Sequence, residues 1–252
     1  MPNGVEIEDI IRTEMQILRE MKEILAAQME ANVNNFCADG IVNHHVYLEV
    51  QPKILFVLKE VNWQANADFA ENRHDWDDRL VNDLRDGARH PNFRPTWHPV
   101  AIWAKVILKP DWVWTGTADE RDFQFRADWL RQIAFLNLKK TSSIEDHGIA
   151  DLDEIERYAW MYPEQLKRQV KLYSPDFIVC GGRAIGNVLV DLFGDETGVW
   201  NWYQCGRTAD APQLNSFVGK SVKLIEMAHP SNRGRGTSYL QKYLDLRFLL
   251  DR

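Results

Sequence analysis

Apolar stretches at four places along the chain predict buried strands. Ile54 to Leu58 is an unbroken run of β-branched and large apolar side chains, and similar stretches follow at Ile133–Leu138, Pro175–Cys180 and Lys220–Met227. Runs of this length are typical of strands in the middle of a parallel sheet, which helices cover on both faces. The sequence therefore predicts a three-layer α/β/α fold around a central, mainly parallel, four-stranded sheet.

Between these stretches, apolar residues recur at helical spacing. The longest such segment, Val5 to about Asn35, has apolar residues on one face and charged residues on the other, which predicts one long amphipathic helix. This helix either lies on the body of the protein or pairs with a second copy in a homodimer. Further helices are predicted over 99–108, 120–132, 151–173 with a break at Pro163, 181–193 and 237–250, and weaker strands over 199–205 and 213–218. The predicted organisation is an N-terminal helical extension, 1–40, and one α/β domain, 41–252.

Composition narrows the classes of protein that fit. The chain has 252 residues, is 45% hydrophobic and carries a net charge of −7, which excludes a globally basic nucleic-acid coat protein. Its three cysteines, Cys37, Cys180 and Cys205, are too few and too scattered for a disulfide framework or a zinc site. The sequence shows no signal peptide and no apolar run of about 18 residues. We therefore expect a cytoplasmic protein that needs no membrane, metal or cofactor.

Polar residues follow three of the predicted strands at their carboxyl ends. The first strand is followed by KEVN, which contains Glu60 and Asn62, the second ends in NLKK, which begins at Asn137, and the last leads into HPSNR, which begins at His229. The carboxyl ends of parallel strands share one edge of a sheet, where open α/β folds place their ligands. We therefore expect these four side chains to converge.

The order and spacing of these motifs resemble the uracil-DNA glycosylase superfamily. That family has a polar motif after its first strand, an Asn at the end of a middle strand and an HPS-type loop after the last strand, and PDFIVCGGRA is similar to its strand-turn-helix unit. The KEVNW stretch is most similar to the GEAPG motif of the iron–sulfur branch, with Glu60 at its Glu. The chain departs from that motif at Lys59 and Trp63, which replace glycines, and at Asn62, which replaces proline. The four cluster cysteines are absent as well.

This resemblance implies a DNA glycosylase that flips out uracil or another altered base and hydrolyses its N-glycosidic bond. His229 would donate to the departing base, Glu60 with Asn62 would act on the water or the cationic sugar, and Asn137 would read the Watson–Crick edge of the base. The other implied contacts are base stacking by Trp63 or Phe69, and DNA binding by Ser231, Asn232, Arg233 and Arg235. From Cys205 to Arg252 eight basic residues stand against four acidic ones, which favours a DNA-binding face there.

Each of these residues also has an ordinary structural interpretation. His229 could be a satisfied histidine at a strand end, Asn137 a turn residue, and Glu60 a partner of Lys59 or Lys139. The pair Gly181–Gly182 lacks the pattern of a phosphate loop and indicates a tight strand-to-helix turn. The carboxylates Asp75, Asp77 and Asp78 could hold a divalent ion, but a helix start is favoured. The alternative function is a non-catalytic nucleotide or nucleic-acid binding module on the same fold.

Overall fold

A computed structural model describes most of the chain. The described residues are 4–29, 36–60, 93–117, 123–141, 151–197, 202–204, 215–217, 220–227 and 229–230, together with five positions between 243 and 250. Within this part of the chain, no helix is long and apolar enough to cross a membrane.

Seven strands of the described residues form one sheet in the order β1-β3-β2-β4-β7-β5, with β6 paired to β7. Their bounds are β1 Gly40–Ile41, β2 Ile54–Glu60, β3 Ile133–Lys139, β4 Phe177–Gly181, β5 Trp202–Gln204, β6 Asn215–Phe217 and β7 Lys220–Met227. β3, β2, β4, β7 and β5 run parallel, whereas β1 and β6 are antiparallel to their neighbours. The mainly parallel sheet is therefore confirmed, but four strands is an underestimate. β1, β5 and β6 are two or three residues long, which is too short for a clear apolar pattern.

One helix precedes the strands, and the other helices with given bounds lie in the segments between them. They are α1 Gly4–Met29, α2 His44–Glu49, α3 Phe93–Leu108, α4 Phe123–Leu130, α5 Leu152–Ala159, α6 Pro163–Tyr173 and α7 Arg183–Thr197. The predicted break at Pro163 is confirmed, because α6 begins at that proline, whose fixed φ suits a first helical position. Asp151 caps the start of α5, because its side chain accepts a hydrogen bond from the backbone N–H of Glu154 at 2.7 Å.

Residues of the strands alternate between two hydrophobic cores, one on each face of the sheet. Leu55 and Val57 of β2 belong to the core that α1, α5, α6 and α7 cover. Ile54 and Phe56 belong to the other core, which α3 and α4 cover. This alternation with period two places helices on both faces of one sheet, so the three-layer α/β/α architecture is confirmed.

Helix α1 lies on the body of the protein. Ile17, Met21 and Leu25 are buried in the first core, and Glu20 accepts hydrogen bonds from Arg168 and from a neighbouring glutamine of α6. The first of the two alternatives for this helix is therefore observed. Pairing of its outer face with a second copy of the chain remains a prediction.

Candidate functional site at the carboxyl edge of the sheet

The carboxyl ends of the parallel strands form one edge, at which the strand order reverses. The chain goes from β2 to β3 on one side and then to β4 on the other side of β2. In open α/β sheets such a reversal opens a crevice at the carboxyl ends, and ligands bind there. Along this edge Leu58 is paired with Asn137, and Glu60 with Lys139.

Two successive glycines form the turn at the reversal. A Cβ on Gly181 would lie 2.9 Å from Leu58 Cδ2 and 3.4 Å from Pro230 Cδ, so a larger residue at this position would require the Leu58 side chain to move. Gly182 has φ 129°, a conformation that side-chain-bearing residues rarely adopt. α7 begins at the next residue, so the predicted tight turn is confirmed. Pro230, which follows β7, therefore lies beside the end of β4.

Three of the predicted site residues lie among the described residues. Glu60 is the last residue of β2, next to β3. Asn137 is buried within β3. His229 is half-buried and directly precedes the buried Pro230, which contacts the turn at Gly181. Outside the described residues lie Asn62, Trp63, Phe69, Ser231, Asn232, Arg233, Arg235 and the acidic residues Asp75, Asp77 and Asp78.

Asn137 is held by a carboxylate that the sequence analysis did not single out. Its backbone N–H donates to Asp39 Oδ2 at 2.5 Å, and its side-chain Nδ2 donates to the same oxygen at 3.2 Å. Asp39 directly precedes β1, the short strand beside β3. Asp39, the residue before β1, therefore accepts hydrogen bonds from β3 through its side chain.

The second oxygen of Asp39 belongs to a buried ion pair. Lys140 Nζ lies 2.6 Å from Asp39 Oδ1, and neither side chain is exposed to solvent (0% each). Gln169 of α6 connects the two partners, since its Nε2 donates to Asp39 Oδ1 at 2.9 Å and its Oε1 accepts from Lys140 Nζ at 3.0 Å. Four donors therefore surround the carboxylate, which is the arrangement that makes a buried charge tolerable.

From Gln169 the hydrogen bonds continue to α1. Gln169 Nε2 donates to Tyr173 Oη at 2.7 Å, and Tyr173 donates to Glu14 Oε1 at 2.5 Å. Glu14 is fully buried and also accepts from the backbone N–H of Ile41 at 3.1 Å, while its other oxygen lies 2.8 Å from His44 Nε2. α1 thus contributes a carboxylate to the polar network that ends at Asn137.

Both lysines that follow Asn137 are buried. Lys139 Nζ lies 2.8 Å from Glu154 Oε1 of α5 and 5.1 Å from the ring centre of Tyr158. Tyr162 supports the strand end, because its hydroxyl donates to the carbonyl of Leu138 at 2.8 Å and accepts from the backbone N–H of Lys140 at 3.2 Å. Burial raises the pKa of the Tyr162 hydroxyl, so this group is neutral.

The sequence analysis missed Asp39 and the two partners that α6 contributes, Gln169 and Tyr173. Asp39 did carry a signal. It is the only charged residue in the stretch FCADGIV, 36–42, and a lone acid among apolar residues is an unusual buried group. Gln169 and Tyr173 carried no comparable signal, since polar residues are ordinary on a helix that lies at the surface.

A cysteine, Cys180 of β4, also lies near this edge. Burial raises the pKa of the Cys180 thiol, and the charge of Glu226 on the neighbouring strand raises it further, so Cys180 is not a thiolate nucleophile. Among the described residues, no three His, Cys, Asp or Glu side chains are placed to hold a metal ion.

A scan against known protein families finds no match to this chain, and a search of curated proteins finds no similar sequence.

Proposed function

We propose that this protein is a DNA glycosylase, which flips an altered base out of DNA and hydrolyses its N-glycosidic bond. The observation that carries the proposal is the contact between the segments that bear the polar motifs. Leu58 precedes Glu60 by two residues and is paired with Asn137, and its side chain packs beside Gly181 and close to Pro230. These contacts support a shared location for the three motifs, at the edge where α/β folds bind ligands.

The chemistry of base release explains why these residue types would serve. Cleavage leaves positive charge on the sugar and negative charge on the departing base. His229, as a fixed donor to a carbonyl oxygen of the base, would stabilise the anion, and loss of one such donor typically lowers a rate by about 10²–10³. Glu60, as a carboxylate, would stabilise the cationic sugar or orient the water, with Asn62 beside it. Asn137 would read the edge of the flipped base through its amide.

The DNA-binding part of the proposal concerns residues that follow β2 and β7 in the sequence and lie outside the described residues. Trp63 or Phe69 would stack on the base, and Ser231 and Asn232 would contact the DNA backbone together with Arg233 and Arg235. The local excess of basic residues after Cys205 supports this assignment, because contacts to phosphates dominate the affinity of proteins for DNA.

A non-catalytic binding module is the second candidate, and one observation favours it. Asn137 is only 3% exposed, and its amide already donates to Asp39. An amide that is so enclosed could hold the strand end in place without ever contacting a base. This module would bind a nucleotide or a nucleic acid at the same edge without cleaving it.

An abasic-site assay distinguishes the two candidates. Single-turnover reactions use oligonucleotides with one uracil, hypoxanthine or modified cytosine, single-stranded and in duplex, and abasic sites are revealed by alkaline strand cleavage. We expect the wild type to produce abasic sites and Glu60→Gln to slow their formation. Glu49→Gln, at an exposed position of α2, is the matched control and should leave the rate unchanged. If no substrate yields abasic sites, the glycosylase proposal is refuted and the binding module replaces it.

The DNA-binding face is tested by reversing its charge. Arg233→Glu/Arg235→Glu should abolish binding of a fluorescent oligonucleotide, and binding by the wild type should weaken with added salt. Arg19→Glu/Lys109→Glu makes the same change in net charge at exposed positions that are distant from Arg233 in the sequence. Equal affinities of the two double variants would remove the segment around Arg233 from the proposed interface.

A further inference from the structure

We propose that Asp39 is a positioning residue that fixes the amide of Asn137 in one orientation and thereby sets which base the protein accepts. This inference rests on the proposed function, because it assigns Asn137 the reading of a base. Asp39 lies outside the three polar motifs, so it is an additional residue of the candidate site. Its basis is the pair of hydrogen bonds from Asn137 to Asp39 Oδ2 and the ion pair behind them.

The charge of Asp39 decides which end of the Asn137 amide faces it. An ionised carboxylate only accepts hydrogen bonds, and an amide has a donor end and an acceptor end. Lys140 Nζ and Gln169 Nε2 both donate to Asp39, so its carboxylate is the acceptor in these contacts. The amide atom that lies 3.2 Å from Asp39 Oδ2 must therefore be Nδ2. Rotation of the amide by half a turn would put Oδ1 against the carboxylate oxygen, and two acceptors at that distance repel each other.

The surroundings prevent Asp39 from turning to relieve such a clash. Its other oxygen accepts from Lys140 Nζ and Gln169 Nε2, at 2.6 and 2.9 Å. A side chain whose hydrogen-bond partner is itself held by other hydrogen bonds keeps its geometry before a ligand binds. The amide of Asn137 is accordingly fixed, and among the described residues its side-chain hydrogen bond to Asp39 uses one of its two N–H groups.

A fixed amide distinguishes two bases that a rotating amide does not. Uracil presents a donor at N3 and an acceptor at O4, whereas cytosine presents an acceptor at N3 and a donor at N4. The donor and the acceptor at these two adjacent positions are therefore exchanged between uracil and cytosine. An amide held in one orientation matches one of these edges and opposes the other with like groups, but an amide that can rotate by half a turn matches both. Under the proposed function the accepted edge is that of uracil, and Asp39 is the residue that excludes cytosine.

The test removes the charge at Asp39 without leaving a buried cation behind. Asp39→Asn alone would strand Lys140, so the variant is Asp39→Asn/Lys140→Met, in which a neutral amide can face either end of the Asn137 side chain. Tyr173→Phe is the matched control. It breaks the same buried network one step away and leaves both bonds from Asn137 to Asp39 in place.

The measured quantity is the ratio of single-turnover rates, or of binding affinities, for oligonucleotides with one uracil and with one cytosine. We expect the ratio to fall by about 10-fold or more in the Asp39 variant, the factor that a hydrogen bond to a charged group typically contributes. It should stay at the wild-type value in Tyr173→Phe. A merely structural role would lower both rates together and leave the ratio unchanged. A ratio within about threefold of wild type in the Asp39 variant, well short of that factor, overturns the inference and leaves the glycosylase proposal intact.

A second readout does not depend on activity. In a nitrogen-15 spectrum, with the Asn137 side-chain amide assigned by its loss in Asn137→Ala, one amide proton should exchange slowly with solvent because it is donated to a buried carboxylate. That protection should disappear in Asp39→Asn/Lys140→Met and persist in Tyr173→Phe. If the wild type neither binds nor cleaves any oligonucleotide, the proposed function fails. In that case the spectrum alone tests whether Asp39 fixes the Asn137 amide. Unchanged protection of the amide proton in Asp39→Asn/Lys140→Met would overturn the inference.

Discussion

Removal of Lys140 should destabilise the protein far more than removal of a surface cation. In Lys140→Met the carboxylate of Asp39 stays fully buried and loses the charge that lies 2.6 Å from it, while Gln169 and Asn137 remain as donors. Breaking a buried pair on one side costs about 3–5 kcal/mol, a large part of the 5–15 kcal/mol that typically separates folded from unfolded protein. For a chain of this length the melting temperature should fall by about 6–20 °C.

Urea unfolding followed by tryptophan fluorescence measures this change in the free energy of unfolding. Arg12→Met, which removes an exposed partner of Asp9, is the control and should change stability by no more than about 0.5 kcal/mol. Asp39→Asn/Lys140→Met should be more stable than Lys140→Met, because the double variant buries no uncompensated charge. If Lys140→Met loses less than about 1 kcal/mol, or if the double variant is the less stable of the two, the ion pair does not carry the energy that its burial implies.

Three further predictions concern single residues. The hydrogen bond from Arg168 holds the pKa of Glu20 below its ordinary value, against the opposing effect of burial. The stability that this carboxylate contributes is therefore present at neutral pH and lost as the pH falls through the lowered pKa. Melting curves between about pH 6 and about pH 3 should show a smaller loss of stability in acid for Glu20→Gln than for the wild type, and equal losses would contradict the shift. Cys180 should react with a thiol reagent only on unfolding, as followed by mass spectrometry with and without urea, and rapid labelling of the native protein would contradict its raised pKa. Gly182→Ala should lower the free energy of unfolding by about 1–3 kcal/mol because of the strain at its φ, whereas Gly4→Ala, where a Cβ meets nothing within 4 Å, should not.

The parallel strands were predictable because their signal is local. β2 and β3 are buried on both faces, and burial of this kind requires an unbroken apolar run that can be read directly from the sequence. The break between α5 and α6 was equally visible, since Pro163 suits only the start of a helix. β1, β5 and β6 gave weak signals or none, because a strand of two or three residues depends on its neighbours for its structure.

The edge to which the polar motifs belong was also predictable, but the buried residues around Asn137 were not. That polar motifs should meet at the carboxyl edge follows from parallel strand order alone. The lysines after Asn137 were interpreted as polar residues that mark the end of a strand, yet both are buried and paired. Their burial depends on distant partners, since Asp39 lies 101 residues from Lys140 along the chain. A local pattern contains no information about such a partner.

Catalysis by His229 is the most direct test of the proposed function. The measurement is the single-turnover rate of abasic-site formation on a uracil-containing oligonucleotide for the wild type, His229→Ala and His45→Ala, the last at an exposed position of α2. We predict cleavage by the wild type, a rate lower by about 10²–10³ in His229→Ala with DNA binding retained, and no change in His45→Ala, because the donor acts only as the base becomes anionic. Absence of cleavage by the wild type, or a rate for His229→Ala within about threefold of wild type, would contradict the proposal.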